Sequence, residues 1–393
     1  MRILFVKPAL LYPRANGHDI SCYFMMKGLA ELGAEVGLAS AAETEPAAVA
    51  GIRLTLLRQL RDPEVPEPER PKLTWLQERF RSFWGVSWGH IASVQAYADD
   101  FKADVVVAYG LPALPFLAGA KKELRVWAMA DEWVYHHLTQ VRLTDRSSWH
   151  HLRSAVIKGA YERAYAPMVD RIWSVSDTDQ RAAKWFAGMP VSDLLPNGVD
   201  SEFFHAIPRP EIPHSAVFWG RLDFEPNIDA VVWFCHEVWP AILQLVPSAR
   251  FTMMGYEPTP DVRRLTSLPG VVLNANVPDL RAAVCEHSLV VLPMVSGGGI
   301  KNKLLEGAAM GRAIVCTPRA CMDLQPGGAL PLAVVKSPSE WVQTLVSLWR
   351  DATRRAELGT RAREWILQYH SWAIPARAAY EAFDRALAKR QSA

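Results

Sequence analysis

The stretch Ser296-Gly297-Gly298-Gly299-Ile300-Lys301-Asn302-Lys303-Leu304-Leu305-Glu306 holds the most legible chemistry in this chain of 393 residues. An apolar run, Ser288–Leu292, leads into three glycines and then into a helical pattern from about Asn302 to Met310, closed by Gly311. Glycines let a backbone approach a ligand closely, and free N–H groups at a helix N-terminus attract anions. Lys301 and Lys303 sharpen the point. The helix macrodipole disfavours cations at that end, and an anionic ligand such as a phosphate group resolves the conflict. The plainer reading is that both lysines are solvated and that Glu306 pairs with Lys303 at i,i+3.

Gly220-Arg221-Leu222 is the second element, placed after the apolar run Ala216–Trp219. Open α/β sheets bind ligands at the C-terminal ends of their strands, and an Arg there suits phosphate oxygens by bidentate bonding. Taken alone, an Arg after a strand is more often a surface ion pair. The first half of the chain offers Gly17, on the loop after the first strand, and Asp131-Glu132-Trp133 with His136 and His137 behind them. A carboxylate or imidazole there can orient or deprotonate a hydroxyl, and the alternative is ordinary loop polarity. Glu162 reads as helix surface or as a hydrogen bond inside its domain, and His150-His151 as a solvated pair.

Elements that position these residues alternate in type. Ile3–Val6 is a strand. Asp19 caps a helix with Ile20, Phe24, Met25, Leu29 and Leu32 at helical spacing, ended by Gly33, and Glu35–Ala39 is a second strand. This βαβ unit implies a parallel sheet. Asp104–Ala108, Arg125–Met129 and Arg171–Val175 are further strands, and residues 61–71 read as a polar surface loop. Three prolines in Ile207–Pro213 mark a boundary near 205. The pattern then restarts with Ala216–Trp219, a helix capped by Asn227 and running to about Trp239, and strands at Arg250–Met254, Ser288–Leu292 and Ala313–Cys316. The expected architecture is α/β with two doubly wound domains, 1–205 and 206–370, and hinges near 197–206 and 370.

Composition sets bounds. Lys plus Arg is 43 and Asp plus Glu 41, so the net charge of +2 argues against a nucleic-acid binder. Five scattered cysteines without a CxxC give neither a zinc signature nor a disulfide framework, so a cytoplasmic location is expected. The apolar residues after Met1 are too few for a signal-peptide core. Val105–Ala120 is too short and too broken by Gly and Pro to span a bilayer, so any membrane association is at most peripheral. The 15 tryptophans fill the core with some surface exposure, or else serve a lipid-like acceptor.

Three segments together resemble a known family. They are Asn197-Gly198-Val199-Asp200 with Phe203-Phe204, Phe218-Trp219-Gly220-Arg221-Leu222 followed by Pro226-Asn227, and Gly299-Ile300-Lys301-Asn302-Lys303 running through Glu306 to Val315. They look like group 1 (family four) nucleotide-sugar glycosyltransferases of the GT-B fold. The resemblance implies two Rossmann-like domains facing across a cleft. The acceptor domain is 1–205, with the final helix 371–393 crossing back to it, and the donor domain is 206–370. It implies metal-independent transfer of a sugar from a nucleoside-diphosphate sugar to an acceptor hydroxyl, with retention favoured. No cofactor beyond that co-substrate is implied, and the acceptor is a glycan, a lipid-linked glycan or a small molecule.

By the same resemblance Arg221 and Lys301 or Lys303 hold the diphosphate, Glu306 accepts from ribose hydroxyls, and Gly17, Gly220, Gly298, Gly299, Ile300 and Asn302 complete the donor side. Asp131 and His136 would position the acceptor, or serve as base if the reaction inverts. The chain departs from the family's Glu-x7-Glu pair, because Gly298 stands where the first Glu is expected. The family's usual Lys after the Gly-Arg turn is also missing, with Asp223, Phe224 and Glu225 in that region. A nucleotide-sugar epimerase and an inactive binding module on the same fold are the alternatives.

Overall fold

The computed structural model describes residues 1–13, 17–129, 132–141, 146–190, 192–277, 279–324 and 329–392, the side chain of Ser147 excepted. The chain forms two compact units, one of Met1–Asn197 with Trp372–Ala393 and one of Gly198–Ser371. Each is built on a parallel sheet.

Unit 1 contains β1 (Arg2–Lys7), β2 (Glu35–Ser40), β3 (Leu54–Gln59), β4 (Val105–Tyr109), β5 (Leu124–Ala128), β6 (Arg171–Ser174) and β7 (Ser192–Leu194), in the order β3-β2-β1-β4-β5-β6-β7. β1, β4 and β5 are almost wholly buried, as expected of parallel strands covered on both faces. Two apolar cores flank the sheet. One holds Leu4, Val106, Trp127, Tyr161 and Tyr165. The other holds Phe5, Met26, Val107 and Trp173, and the C-terminal helix Ala373–Gln391 contributes Ala379 and Phe383 to it. Phe383 stacks on Trp173 at 5.4 Å and Trp372 on Phe24 at 5.2 Å, which fastens the last helix to this unit.

Unit 2 contains β8 (Ile212–Arg221), β9 (Arg250–Tyr256), β10 (Val271–Ala275), β11 (His287–Leu292), β12 (Ile314–Cys316) and β13 (Ala333–Val334), ordered β10-β9-β8-β11-β12-β13. One continuous core runs through it, including Phe218, Phe234, Phe251, Leu292, Leu305 and Trp341. In both sheets the chain order reverses once, between β1 and β4 and between β8 and β11. Those reversals open crevices at the strands' C-terminal ends, where such sheets bind ligands.

Several expectations change. The units divide at 197/198 and 371/372 rather than near 205. Residues 198–205 go with the second unit because Val199 is part of its core, Phe204 packs against that core, and the Val199 N–H donates to the His370 carbonyl. Asp19 is not a cap. Its helix spans Gly17–Glu31, and Asp19 lies buried in the first turn, 3.0 Å from the Lys7 amine. A buried lysine at the end of β1 needs a counter-charge, and a carboxylate in the first turn of a helix supplies it with the dipole's help. The edge strands β3, β7, β10 and β13 carry no strong apolar alternation and were not anticipated.

Candidate functional site

The crevice of unit 2 is built where β8 and β11 end. β8 finishes on Gly220-Arg221, and the segment after β11 contains the glycines, ahead of the helix Asn302–Ala309. No side chain caps that helix. Gly297 and Gly299 adopt positive φ, at 85° and 68°. A Cβ on Gly297 would sit 3.1 Å from Pro226, so the loop presses on the start of the helix Glu225–Trp233. The Ser296 hydroxyl donates to Asp229 at 3.0 Å and fastens the loop to that same helix.

The two lysines have separate jobs. Lys301 folds back on its own loop, its amine donating to the Gly298 and Gly299 carbonyls. Lys303 reaches across to the end of β8. Its amine donates to Asn227 Oδ1 at 2.5 Å and lies 4.4 Å from the centre of the Phe218 ring. A Cβ on Gly220, whose φ is 148°, would come 3.1 Å from that amine, so glycine leaves it room. Burial among protein atoms, with Lys301 adding to it, pushes the Lys303 amine down to about 7.

Glu306 is not the ion-pair partner of Lys303, contrary to the i,i+3 alternative. It accepts a hydrogen bond from Trp219 Nε1 at 2.7 Å. The Trp219 ring packs over Gly307, where a Cβ would meet it at 3.2 Å. Burial raises the Glu306 carboxyl above its ordinary range, opposed by the Trp219 hydrogen bond and by Lys303. Arg221 is half-exposed and bonded to Asp223, with Nε donating to Oδ1 at 3.0 Å. Ile300 is buried in the core of unit 2, so its side chain serves packing. Asn302 opens the helix.

Asn227 is the residue that sequence reasoning misassigned. Phe224 occupies the N-cap position and Asn227 sits inside the first turn. Its Nδ2 donates to the Arg221 carbonyl at 2.7 Å while its Oδ1 holds Lys303, so one side chain ties the Gly-Arg turn to the lysine. The run Trp219-Gly220-Arg221 and Pro226-Asn227 was the available signal, without a role attached to Asn227.

Unit 1 gathers polar groups at its own crevice. Gly17 is exposed at the start of the helix after β1. His18, not singled out from sequence, has its ring 6.3 Å from Trp133, and its Nδ1 is 3.2 Å from where a Gly110 Cβ would stand. Gly110 follows β4 and Trp133 opens the helix Trp133–Leu138 after β5. On that helix the His136 Nε2 meets the Gln140 amide at 2.8 Å. Asp131 lies outside the described residues.

Two surface readings of this unit change, Glu162 on the helix surface and His150-His151 as a solvated pair, while the alternative of a contact inside the domain stands for Glu162, which faces Glu132. Glu162 is fully buried, and so is Glu132. Burial and the neighbouring Glu132 carboxyl push the Glu162 carboxyl well up, which favours its neutral form. His151 is also buried, its Nδ1 3.1 Å from His137 Nδ1, and only His150 of that pair is exposed. Burial, with Lys158 and neighbouring histidines, lowers the His137 imidazole to about 3. Among the described residues no group of three or more His, Cys, Asp or Glu is placed to hold a metal ion, and no helix is long and apolar enough to cross a membrane.

Residues 213–351 match the family model of glycosyl transferases group 1. None of the curated proteins matches the chain. Solved structures do. Sucrose-phosphate synthase from Thermosynechococcus elongatus is 14% identical with a TM-score of 0.70, covering 99% of this chain and 100% of that one. Anabaena HepE in complex with UDP and glucose is 15% identical with a TM-score of 0.66, covering 97% and 99%. A glycosyltransferase from Rickettsia africae is 12% identical with a TM-score of 0.64, covering 98% of each chain. Residues 213–351 are thus related to glycosyl transferases group 1, and the whole chain has the GT-B fold of two Rossmann-like units.

Proposed function

We propose that this chain is a glycosyltransferase that moves a sugar from a nucleoside-diphosphate sugar to an acceptor hydroxyl. The observation that carries the proposal is the Lys303 amine. Among the described residues no carboxylate is in ion-pair contact with it, and it is held by a neutral amide and a ring face at the end of β8. Desolvation and Lys301 push this amine toward its neutral form and Glu306 opposes them only in part, so a bound diphosphate would restore its charge and gain a partner for it. The uncapped helix Asn302–Ala309 and the glycine loop add N–H donors beside it.

In this reading Lys303 and Arg221 stabilise the charge that develops on the leaving diphosphate. Arg221 must exchange Asp223 for a phosphate oxygen. Glu306, oriented by Trp219, accepts from ribose hydroxyls. Lys301 shapes the loop through the Gly298 and Gly299 carbonyls. Unit 1 carries the acceptor side, where His136 and Asp131 orient the acceptor hydroxyl. Gly17 contributes exposed backbone at the start of its helix. The reaction proceeds without a metal, because basic side chains and helix N-termini neutralise the diphosphate.

The test is a thermal-shift panel of nucleoside diphosphates, with UDP first because HepE was solved with it. A ligand at a hundred times its Kd stabilises by about 2.7 kcal/mol. The expected result is a rise in Tm for at least one nucleoside diphosphate and none for the matching nucleoside. Failure of every base to stabilise the chain would remove the donor reading.

A further inference from the structure

Unit 1 also displays large apolar side chains to solvent on elements rich in positive charge. On the helix Trp75–Phe83, Trp75 is 72% and Phe83 74% exposed. Arg79 lies between them at i,i+4 spacing, its guanidinium 5.7 Å from the Trp75 ring. The helix's other face is well spent on the fold, with Phe80 against Tyr161 at 4.7 Å and Gln77 bonded to the Ala164 carbonyl. Trp75 and Phe83 therefore have no part in the core.

The helix His150–Tyr165, on which the first one packs, repeats the pattern. Val156 is 71% exposed, and Trp149, Leu152 and Ile157 are exposed with it. Arg153 falls on the same stripe at helical spacing, while His151, Ala155 and Glu162 face inward. The segment Ala183–Ala187 packs on this helix too, and its Trp185 is 83% exposed. A display of this size marks an interaction surface rather than scattered exposure.

Charge selects the partner. In segments 70–85 and 149–163 the exposed charges are Arg70, Lys72, Arg79, Arg153 and Arg163 against one acid, Glu78, although the whole chain carries only +2. A second copy of the chain would set this positive face against itself in a two-fold contact. A lipid surface with anionic headgroups removes that repulsion. It also suits tryptophans, whose rings settle at headgroup depth, and arginines, whose stems lie along apolar surface. We propose that this face of unit 1 docks on a membrane containing anionic phospholipid. The inference rests on the surface alone and stands apart from the donor site.

The test is flotation of the full chain with vesicles of phosphatidylcholine, with and without phosphatidylglycerol. Binding is expected only with phosphatidylglycerol and should fall as salt rises. Trp75→Ser with Phe83→Ser should lower partitioning at least about tenfold. Arg79→Gln and Arg153→Gln should each cost about fivefold. All four substitutions are at exposed positions, and an unchanged Tm checks that the fold persists. The proposal is overturned if wild type ignores both vesicles, if both vesicles bind equally, or if the substitutions leave binding intact. It is also overturned if wild type elutes as a dimer that Trp75→Ser with Phe83→Ser converts to monomer, which would give the face to a second copy.

Discussion

Lys303→Met is expected to lower turnover by about a hundred- to a thousandfold with a much smaller effect on KM. Methionine keeps most of the length of the aliphatic stem but removes the amine that lies over Phe218 and its charge. The leaving diphosphate gains charge in the transition state, so a cation beside it binds that state better than the ground state. The measurement is release of nucleoside diphosphate from the sugar nucleotide that best stabilises the chain. Lys301→Met is the comparison. Lys301 already spends its amine on the loop carbonyls Gly298 and Gly299, so its loss should loosen donor binding more than it slows the chemical step. Equal turnover for wild type and Lys303→Met would take Lys303 out of the reaction.

Glu306→Ala is expected to weaken nucleoside-diphosphate binding by roughly ten- to a hundredfold, because a hydrogen bond to a charged group contributes about 1.5–3 kcal/mol. The informative readout is the pairing with deoxynucleotides. If Glu306 accepts from the ribose, removing the hydroxyl or the carboxylate deletes the same interaction. Wild type should then prefer the ribonucleotide, and Glu306→Ala should no longer distinguish it from the deoxy form. Trp219 loses its acceptor in this variant, so Trp219→Phe serves as a control for disturbed packing. A Glu306→Ala protein that still discriminates would confine the carboxylate to its bond with Trp219.

The residues gathered at the ends of β8 and β11 were legible in sequence because their signals are local. A strand, a glycine run and a lysine-bearing helix lie within one stretch, and the Gly-Arg turn follows another strand. Periodicity marked the central strands for the same reason. Asn227 was misread because Asn beside Pro is a common helix-start signal, whereas its amide is spent on Arg221 and Lys303. Which lysine faces the crevice could not be read either, since two residues of helix phase depend on how the glycine loop enters. Glu162 illustrates the other limit. Its neighbours Tyr161 and Arg163 gave no sign that the helix turns it inward to Glu132, which is distant in sequence. Buried polar contacts of that kind follow from tertiary packing and leave no period to detect.

The most direct test of the central claim is calorimetric titration at pH 8 of the nucleoside diphosphate that stabilises the chain most, in two buffers of different ionisation enthalpy. Burial holds the Lys303 amine near 7 in the free protein, so at that pH it is mostly neutral. A diphosphate beside it favours the charged form and raises its pKa. Binding should therefore take up close to one proton per site, and affinity should fall as pH rises above about 7. In Lys303→Met the uptake should vanish and the affinity should lose its pH dependence in that range. Tight binding with no proton uptake, unchanged in Lys303→Met, would contradict the account.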